Sequence, residues 1–311
     1  MRTYSFITVD VFTDRPFGGN PLAVFPDAGG LSSEEMQQIA GEINYSEITF
    51  VLPPAYPSNT ARVRIFTPRN EVPFAGHPNV GTGYVLGAMG RAQRLADGRE
   101  VMRFEEAAGL VELELIRRDE GSVGSVRIAA PQRLSKGHSV PVEAIAECLS
   151  VAAADIETGR HPPILASVGL PFIIAELRSL DALQRCAPNH GAFTRCNDRY
   201  GYAEDRFSIH AYVGLDQGGP ADLQARMFAP LSGILEDPAT GSANAALVAL
   251  LADLAAAPDA KLNIEVLQGV EMGRPSRLCV LAEKRAGSVE RVLLSGGCVQ
   301  MIRGELRLPP R

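Results

Sequence analysis

Apolar and polar positions alternate over residues 4–12, and this period of two predicts a half-buried strand. Short apolar runs at 21–25, 48–52 and 61–66 predict three more. Ser32 stands three residues before Glu35, a reciprocal pair that marks a helix start. A second helix is expected from Pro78 to about Met89, with proline in its first turn and Gly90 past its end. Segments 101–117 and 123–130 flank Asp119-Glu120-Gly121 and predict a hairpin. Polar, irregular residues at 131–141 then mark a boundary between an N-terminal lobe, 1–130, and a C-terminal lobe, 131–311. The final strand of the second lobe can pair back with the first.

The second lobe follows a similar plan. A helix is expected at 142–151, a strand at 164–177, and a helix opened by Ser179. Strands at 207–213 and 223–228 precede a helix opened by Pro238 and built of small apolar residues at 243–256. Four strands, 262–267, 277–282, 289–294 and 299–303, close the chain. Many strands with one long apolar helix per half predict an α+β fold, each helix wrapped by a curved, mostly antiparallel sheet or barrel.

Two passages recur in order. Arg64-Ile65-Phe66-Thr67-Pro68 returns as Arg226-Met227-Phe228-Ala229-Pro230, and His77-Pro78-Asn79-Val80-Gly81-Thr82 returns as Asp237-Pro238-Ala239-Thr240-Gly241-Ser242. From 64 to 226 and from 77 to 237 the offsets are 162 and 160 residues. Weaker matches link Gly19-Asn20-Pro21-Leu22 with Gly169-Leu170-Pro171-Phe172, and 32–37 with 179–184. One folding unit used twice accounts for all four. Each main repeat ends where a helix is expected to begin, and helix starts present free N–H groups to anions. If the two junctions face each other, a cleft between them offers both sets to one ligand.

Composition narrows the chemistry. With 46% apolar and 21% charged residues among 311, the chain can fill two cores without staples. A formal charge of −6 with no basic stripe argues against nucleic acid as partner. The start of the chain lacks a signal-peptide pattern, and the most apolar stretch, 243–257, is too short for a bilayer and carries Asp253. A cytoplasmic protein with no membrane partner is the expectation. The five cysteines, Cys148, Cys186, Cys196, Cys279 and Cys298, show no CxxC spacing and read as buried thiols. No metal-ligand spacing, P-loop, complete GxGxxG or GxSxG run occurs, so neither a metal nor a cofactor is expected.

Acid–base chemistry on a small anion remains. Glu47 precedes an apolar strand, where partial desolvation would raise its pKa, although a solvated strand-end glutamate is the plainer reading of the local sequence. His77 sits at a helix mouth, which favours a neutral ring; a capping or packing histidine is the plainer alternative. Asp237 holds the corresponding place in the second half, where helix capping alone would account for it. Ser46, Gly76, Asn79, Gly241, Ser242, Gly296 and Gly297 are the candidate substrate-binding residues around these groups, and Gly76, Gly81, Gly241 and Ser242 bring backbone close to whatever is bound. Gly296-Gly297 marks another close backbone approach, or a strand kink.

These residues carry a resemblance. Gly18-Gly19-Asn20-Pro21, Asn44-Tyr45-Ser46-Glu47-Ile48-Thr49-Phe50, Phe74-Ala75-Gly76-His77-Pro78, Gly169-Leu170-Pro171-Phe172, the run from Glu236 to Ala243, and Gln268-Gly269 with Met272-Gly273-Arg274-Pro275-Ser276 resemble the PhzF-like family of phenazine-biosynthesis isomerases. The resemblance spans nearly the whole chain. It implies the diaminopimelate epimerase fold, two similar α+β domains with a site between them, and usually a homodimer. It implies a cofactor-independent isomerase, in which the glutamate of the NxSE motif moves a proton between two carbons of a dihydro-3-hydroxyanthranilate. Glu47 matches that glutamate, and His77, Asp237 and Ser242 match its companions. Related epimerases use a cysteine at each helix mouth, and none stands at either mouth here, which speaks for double-bond migration over inversion of a centre. An amino-acid epimerase or racemase and a non-catalytic small-acid-binding protein are the alternatives.

Overall fold

The computed structural model describes residues 1–201 and 207–310. The chain forms two units: Met1–Ala129 with the residues from Ser295 onward, and Ala130–Leu294. Unit 1 runs β1 (Arg2–Val11), β2 (Asn20–Phe25), α1 (Ser33–Ile43), β3 (Glu47–Leu52), β4 (Ala61–Phe66), β5 (Glu71–Val72), α2 (Gly76–Ala88), β6 (Gln93–Arg94), β7 (Glu100–Glu106), β8 (Gly109–Arg117) and β9 (Val123–Ala129). Unit 2 runs β10 (Ser135–Ser139), α3 (Val142–Leu149), β11 (Ile156–Glu157), β12 (Ile164–Ser167), β13 (Pro171–Leu177), α4 (Leu180–Arg185), α5 (His190–Tyr200), β14 (Ile209–Gly214), β15 (Leu223–Ala229), β16 (Ile234–Asp237), α6 (Gly241–Leu254), β17 (Ala260–Gln268), β18 (Ser276–Arg285) and β19 (Ser288–Gly296). The chain returns to unit 1 at Ser295, and β20 (Cys298–Leu308) pairs antiparallel with β1.

The sheet registers carry the duplication seen in the sequence. In unit 1, β1 pairs antiparallel with β2, β2 parallel with β3, β3 antiparallel with β4, β4 parallel with β7, and β7 antiparallel with β8. In unit 2, β12–β13, β13–β14, β14–β15, β15–β17 and β17–β18 repeat that series of antiparallel and parallel pairs in the same order. Each parallel step needs a crossover, and a helix supplies it every time: α1 and α2 in unit 1, α4 with α5 and then α6 in unit 2. The α+β expectation therefore holds, and the pairing is mostly antiparallel with these parallel steps set into it.

α2 and α6 are the central helices. Ten of thirteen residues in α2 and ten of fourteen in α6 are buried, so neither has a polar face of ordinary width. Small residues make that possible. A Cβ added at Gly81 would lie 2.5 Å from Leu22 and 2.8 Å from Val11, so its size lets α2 settle on β1 and β2. The approach expected there toward a ligand is an approach to the sheet. α1 lies on the opposite face of β2–β4, over Phe25, Phe50 and Phe66; Phe25 stacks on Phe50 at 5.0 Å, and Phe66 meets it edge-on at 5.5 Å.

Four boundaries differ from expectation. Segment 101–117 is two strands, β7 and β8, joined at Ala107-Ala108. Segment 164–177 is also two, β12 and β13, because Gly169 turns the chain at a φ of +152°, open only to glycine. α5 carries no apolar run; its sequence signal was Asn189, whose side chain caps Ala192 N. α6 begins at Gly241, three residues after Pro238. Of the five cysteines all are free and Cys279 is exposed, so its buried-thiol reading was wrong. No described helix is long and apolar enough to cross a membrane.

Candidate active site

Register places Glu47. β3 lies parallel to β2 with Leu22 opposite Glu47. Side chains alternate across a strand, so Ile48 and Phe50 enter the core beneath α1 while Glu47 and Thr49 turn toward α2. Thr49 Oγ1 meets Thr82 Oγ1 at 2.8 Å inside the unit, which fixes the strand against the helix. At the helix mouth Glu47 Oε2 lies 3.5 Å from His77 Nε2. The Glu47 side chain is 19% exposed, yet Oε2 is sealed and makes no hydrogen bond. Burial raises its pKa above the usual carboxylate range; the adjacent Ser46 hydroxyl opposes the rise. Ser46 Oγ also donates to Asn20 Oδ1 at 3.2 Å, which ties the motif to the start of β2.

His77 is the second residue of α2, and 6% exposed. The N-cap is Ala75, which makes no side-chain cap, so the first turn's N–H groups are not met that way. By contrast α1, α4 and α5 are capped by Ser32, Ser179 and Asn189. Gly76 opens α2 without a side chain to screen those donors. Asn79 is wholly buried; its Nδ2 donates to Ala75 O at 3.1 Å, and its Oδ1 has no partner.

The matching junction of unit 2 is built otherwise. Asp237 is not the helix cap that its Pro-x-x-Gly context allows. It ends β16, and its Oδ2 accepts from Thr240 Oγ1 at 2.5 Å. Thr240 is the N-cap of α6, again without a side-chain cap, and Gly241 and Ser242 are the first helical residues. Gln268 Nε2 donates to Asp237 O at 2.8 Å and to Thr240 Oγ1 at 3.0 Å, while its Oε1 accepts from Thr240 N and Asn244 Nδ2. Asn244 Oδ1 meets His210 Nε2 at 3.1 Å. His210 is wholly buried, and burial pulls its pKa down to about 4, so a neutral ring donates there.

Gly297 serves the fold of unit 1. Its O accepts from Phe12 N at 2.8 Å, and an added Cβ would lie 3.2 Å from Gly124 O and Thr13 O. Gly296 ends β19 just before it. Unit 1 thus gathers Glu47, Ser46, Gly76, His77 and Asn79 at the mouth of α2, and unit 2 gathers Asp237, Gly241 and Ser242 at the mouth of α6. Among the described residues no cluster of three or more His, Cys, Asp or Glu side chains could hold a metal.

The sequence profile of the PhzC/PhzF phenazine biosynthesis-like proteins matches residues 9–304. The chain belongs to this family. It is 37% identical over 306 residues to the trans-2,3-dihydro-3-hydroxyanthranilate isomerase of Pseudomonas aeruginosa, across 98% of this chain and 100% of that one. A PhzF-family protein of Bacillus anthracis superposes with a TM-score of 0.86 at 26% identity, covering 99% of this chain and 100% of that one. A hydroxyproline epimerase of Agrobacterium vitis shares the fold at a TM-score of 0.64 and 14% identity, over 98% and 92% of the two chains. The protein is thus a PhzF-type isomerase with the epimerase fold.

Sequence reading missed the groups that hold these PhzF-type junctions. Gln268 stood in a motif, but nothing local linked it to Asp237, 31 residues away. Asn244 and His210 carried no local signal at all. Glu106 passed as one of two acids ending a strand, although its parity with Met102 and Phe104 could have flagged an inward carboxyl.

Proposed function

We propose that the protein shifts a proton within a small unsaturated or cyclic carboxylic acid, and that Glu47 is the group that carries it. The observation behind this reading is the sealed Glu47 Oε2 beside His77 at the uncapped start of α2. A carboxyl whose pKa is raised by burial is better suited both to take and to return a proton, and such transfer contributes about 10²- to 10⁴-fold. The substrate carboxylate docks on the N–H groups at the start of α2. Glu47 takes a proton from an activated carbon, and the C–H electron pair spreads into the conjugated system. The same N–H groups hold the resulting anion. Protonated Glu47 then forms a C–H bond at a second carbon, so the double bond moves and no electron is gained or lost. His77 orients the Glu47 carboxyl. Asp237, Gly241 and Ser242 enter through their chemistry as a second set of carboxylate, amide and hydroxyl groups acting on the substrate. In this reading the enzyme works without a cofactor, as a cytoplasmic homodimer.

The relative from Pseudomonas aeruginosa makes trans-2,3-dihydro-3-hydroxyanthranilate the first substrate to try. Proton NMR in D₂O, with that compound and a panel of unsaturated acids, should reveal a new C–D bond and a moved double bond, both lost in Glu47→Gln. Turnover undiminished in that variant overturns the assignment of Glu47. Deuterium entering one stereocentre with no bond migration would mark an epimerase instead.

A further inference from the structure

Cys148 and Cys196 have no part in the chemistry above. Cys148 lies near the end of α3 and Cys196 in the middle of α5. Helical spacing puts Cys148 on the face of Ile145 and Leu149, and Cys196 on the face of Ala192 and Phe193; all six enter one core of unit 2. Backbone bonds clamp the two helices together. Asn189 N, at the cap of α5, donates to Cys148 O at 2.8 Å, and Ala187 N donates to Leu149 O at 2.8 Å. Within that clamp the Cys148 thiol donates to Cys196 Sγ at 3.5 Å. The sulfurs are already near contact, and a bond between them asks for small side-chain rotations rather than unfolding. Cys186, the third thiol of this core, bonds back to Ala182 O instead.

The two thiols are not equivalent. Cys148 is wholly buried, and its hydrogen bond to Cys196, with burial added, pushes its pKa up. Cys196 is 5% exposed. The Cys148 thiol that donates to it lowers its pKa; burial and Glu147 oppose the fall, and Arg195 and Arg199 on the same helix assist it. We propose that Cys196 and Cys148 form a peroxide-sensitive disulfide site, with Cys196 as the attacking sulfur and Cys148 as the resolving one. The Cys196 thiolate attacks one oxygen of hydrogen peroxide and displaces hydroxide, which takes up a proton to become water. The O–O bond breaks, the sulfur loses two electrons to the peroxide, and a sulfenic acid remains. The Cys148 sulfur then attacks that sulfenic sulfur. An S–S bond forms, the S–O bond breaks, and the hydroxyl leaves with the Cys148 proton as a second water. Two thiols and one peroxide thus give one disulfide and two waters. Disulfides in reducing compartments are mostly transient and redox-sensing, the use that this pair fits.

Peptide mapping of the folded full chain after hydrogen peroxide tests this, in a Cys279→Ser background that removes the exposed thiol. Five cysteines less one leave four thiols, and peroxide should reduce them to two. One cross-linked peptide should join Cys148 to Cys196 and reopen with dithiothreitol. The bond closes a span of 48 residues, so the melting temperature should rise by about 5–10 °C. In Cys148→Ser the sulfenic acid should persist at Cys196 and be captured by dimedone. Cys196→Ser and Cys196→Ala should both give neither cross-link nor adduct. Four thiols surviving peroxide, a cross-link that forms only in urea, or oxidation spread alike over Cys186 and Cys298 would each overturn the site. Dimedone captured at Cys148 in place of Cys196 would overturn the assigned roles.

Discussion

The two helix junctions descend from one repeated motif and are finished in opposite ways. At α2 the polar demand is left open: Glu47 Oε2 and Asn79 Oδ1 are sealed without hydrogen bonds. At α6 most of it is met: Asp237, Thr240, Gln268, Asn244 and His210 form one bonded chain running into the core, which leaves His210 Nδ1 at its inner end without a partner. Unmet buried acceptors destabilise a fold by about 1–3 kcal/mol each, so they persist where a ligand uses them. A bonded network fixes geometry. In our reading one copy of the unit supplies reactivity and the junction of the other is held rigid. The duplicated arginines differ too. Arg64 pairs with a half-exposed Glu71 and reaches Ser33 Oγ. Arg226 is 8% exposed, makes a bidentate pair with Glu236 and donates to the carbonyls of Leu183, Gln184 and Cys186 at the end of α4.

The largest expected effect is kinetic. Glu47→Gln should lower turnover about 10²- to 10⁴-fold with binding nearly intact, as single-turnover rates would read. If Asp237→Asn were the more damaging change, the division between a reactive and a supporting junction would be reversed.

Stability separates the two arginines. Arg226→Ala leaves Glu236 buried and unpaired, and should cost about 3–5 kcal/mol in urea unfolding. Arg64→Ala, at the more exposed pair, should cost about 1 kcal/mol or less. Equal losses would remove the contrast.

The pH responses should have opposite signs. Burial gives Glu106 a folded pKa of about 8, above its unfolded value, so the native state binds the extra proton. Its contribution is present at acid pH and lost as pH climbs from the ordinary carboxylate range through about 8. Glu106→Gln should therefore melt higher than the wild type at alkaline pH, by a few kcal/mol at most, and the gap should close on acidification. His210 has a folded pKa of about 4, below its unfolded value, so its contribution is lost as pH falls from the usual histidine range toward 4. Thermal melts from pH 4.5 to 9 would show both flanks; a Glu106→Gln curve parallel to the wild type would count against a dry carboxyl at β7.

The smallest effect concerns packing. Gly81→Ala presses a methyl onto Leu22 and Val11, and should cost about 1–3 kcal/mol through overpacking, with kcat little changed. A collapse in kcat at full stability would instead mean that Gly81 serves the substrate.

Much of this molecule is written locally. Strand alternation, the Ser32–Glu35 capping box, the repeated motifs and the family to which they point are short-range patterns, readable wherever a few neighbouring residues decide the outcome. Glu47 was singled out by the family motif in which it stands, since the local sequence alone favoured a solvated strand end. Folding in three dimensions decided the rest. His77 and Asp237 hold matching places in the repeats, yet one falls inside a helical turn and the other at a strand end. Glu105 and Glu106 are chemically alike neighbours, and strand parity alone sends one to exposed amides and the other into a sealed place beside Asn79. Desolvation and hydrogen-bond satisfaction depend on groups tens of residues away. A chain can name its acids, but only the packed structure decides which of them lose their water.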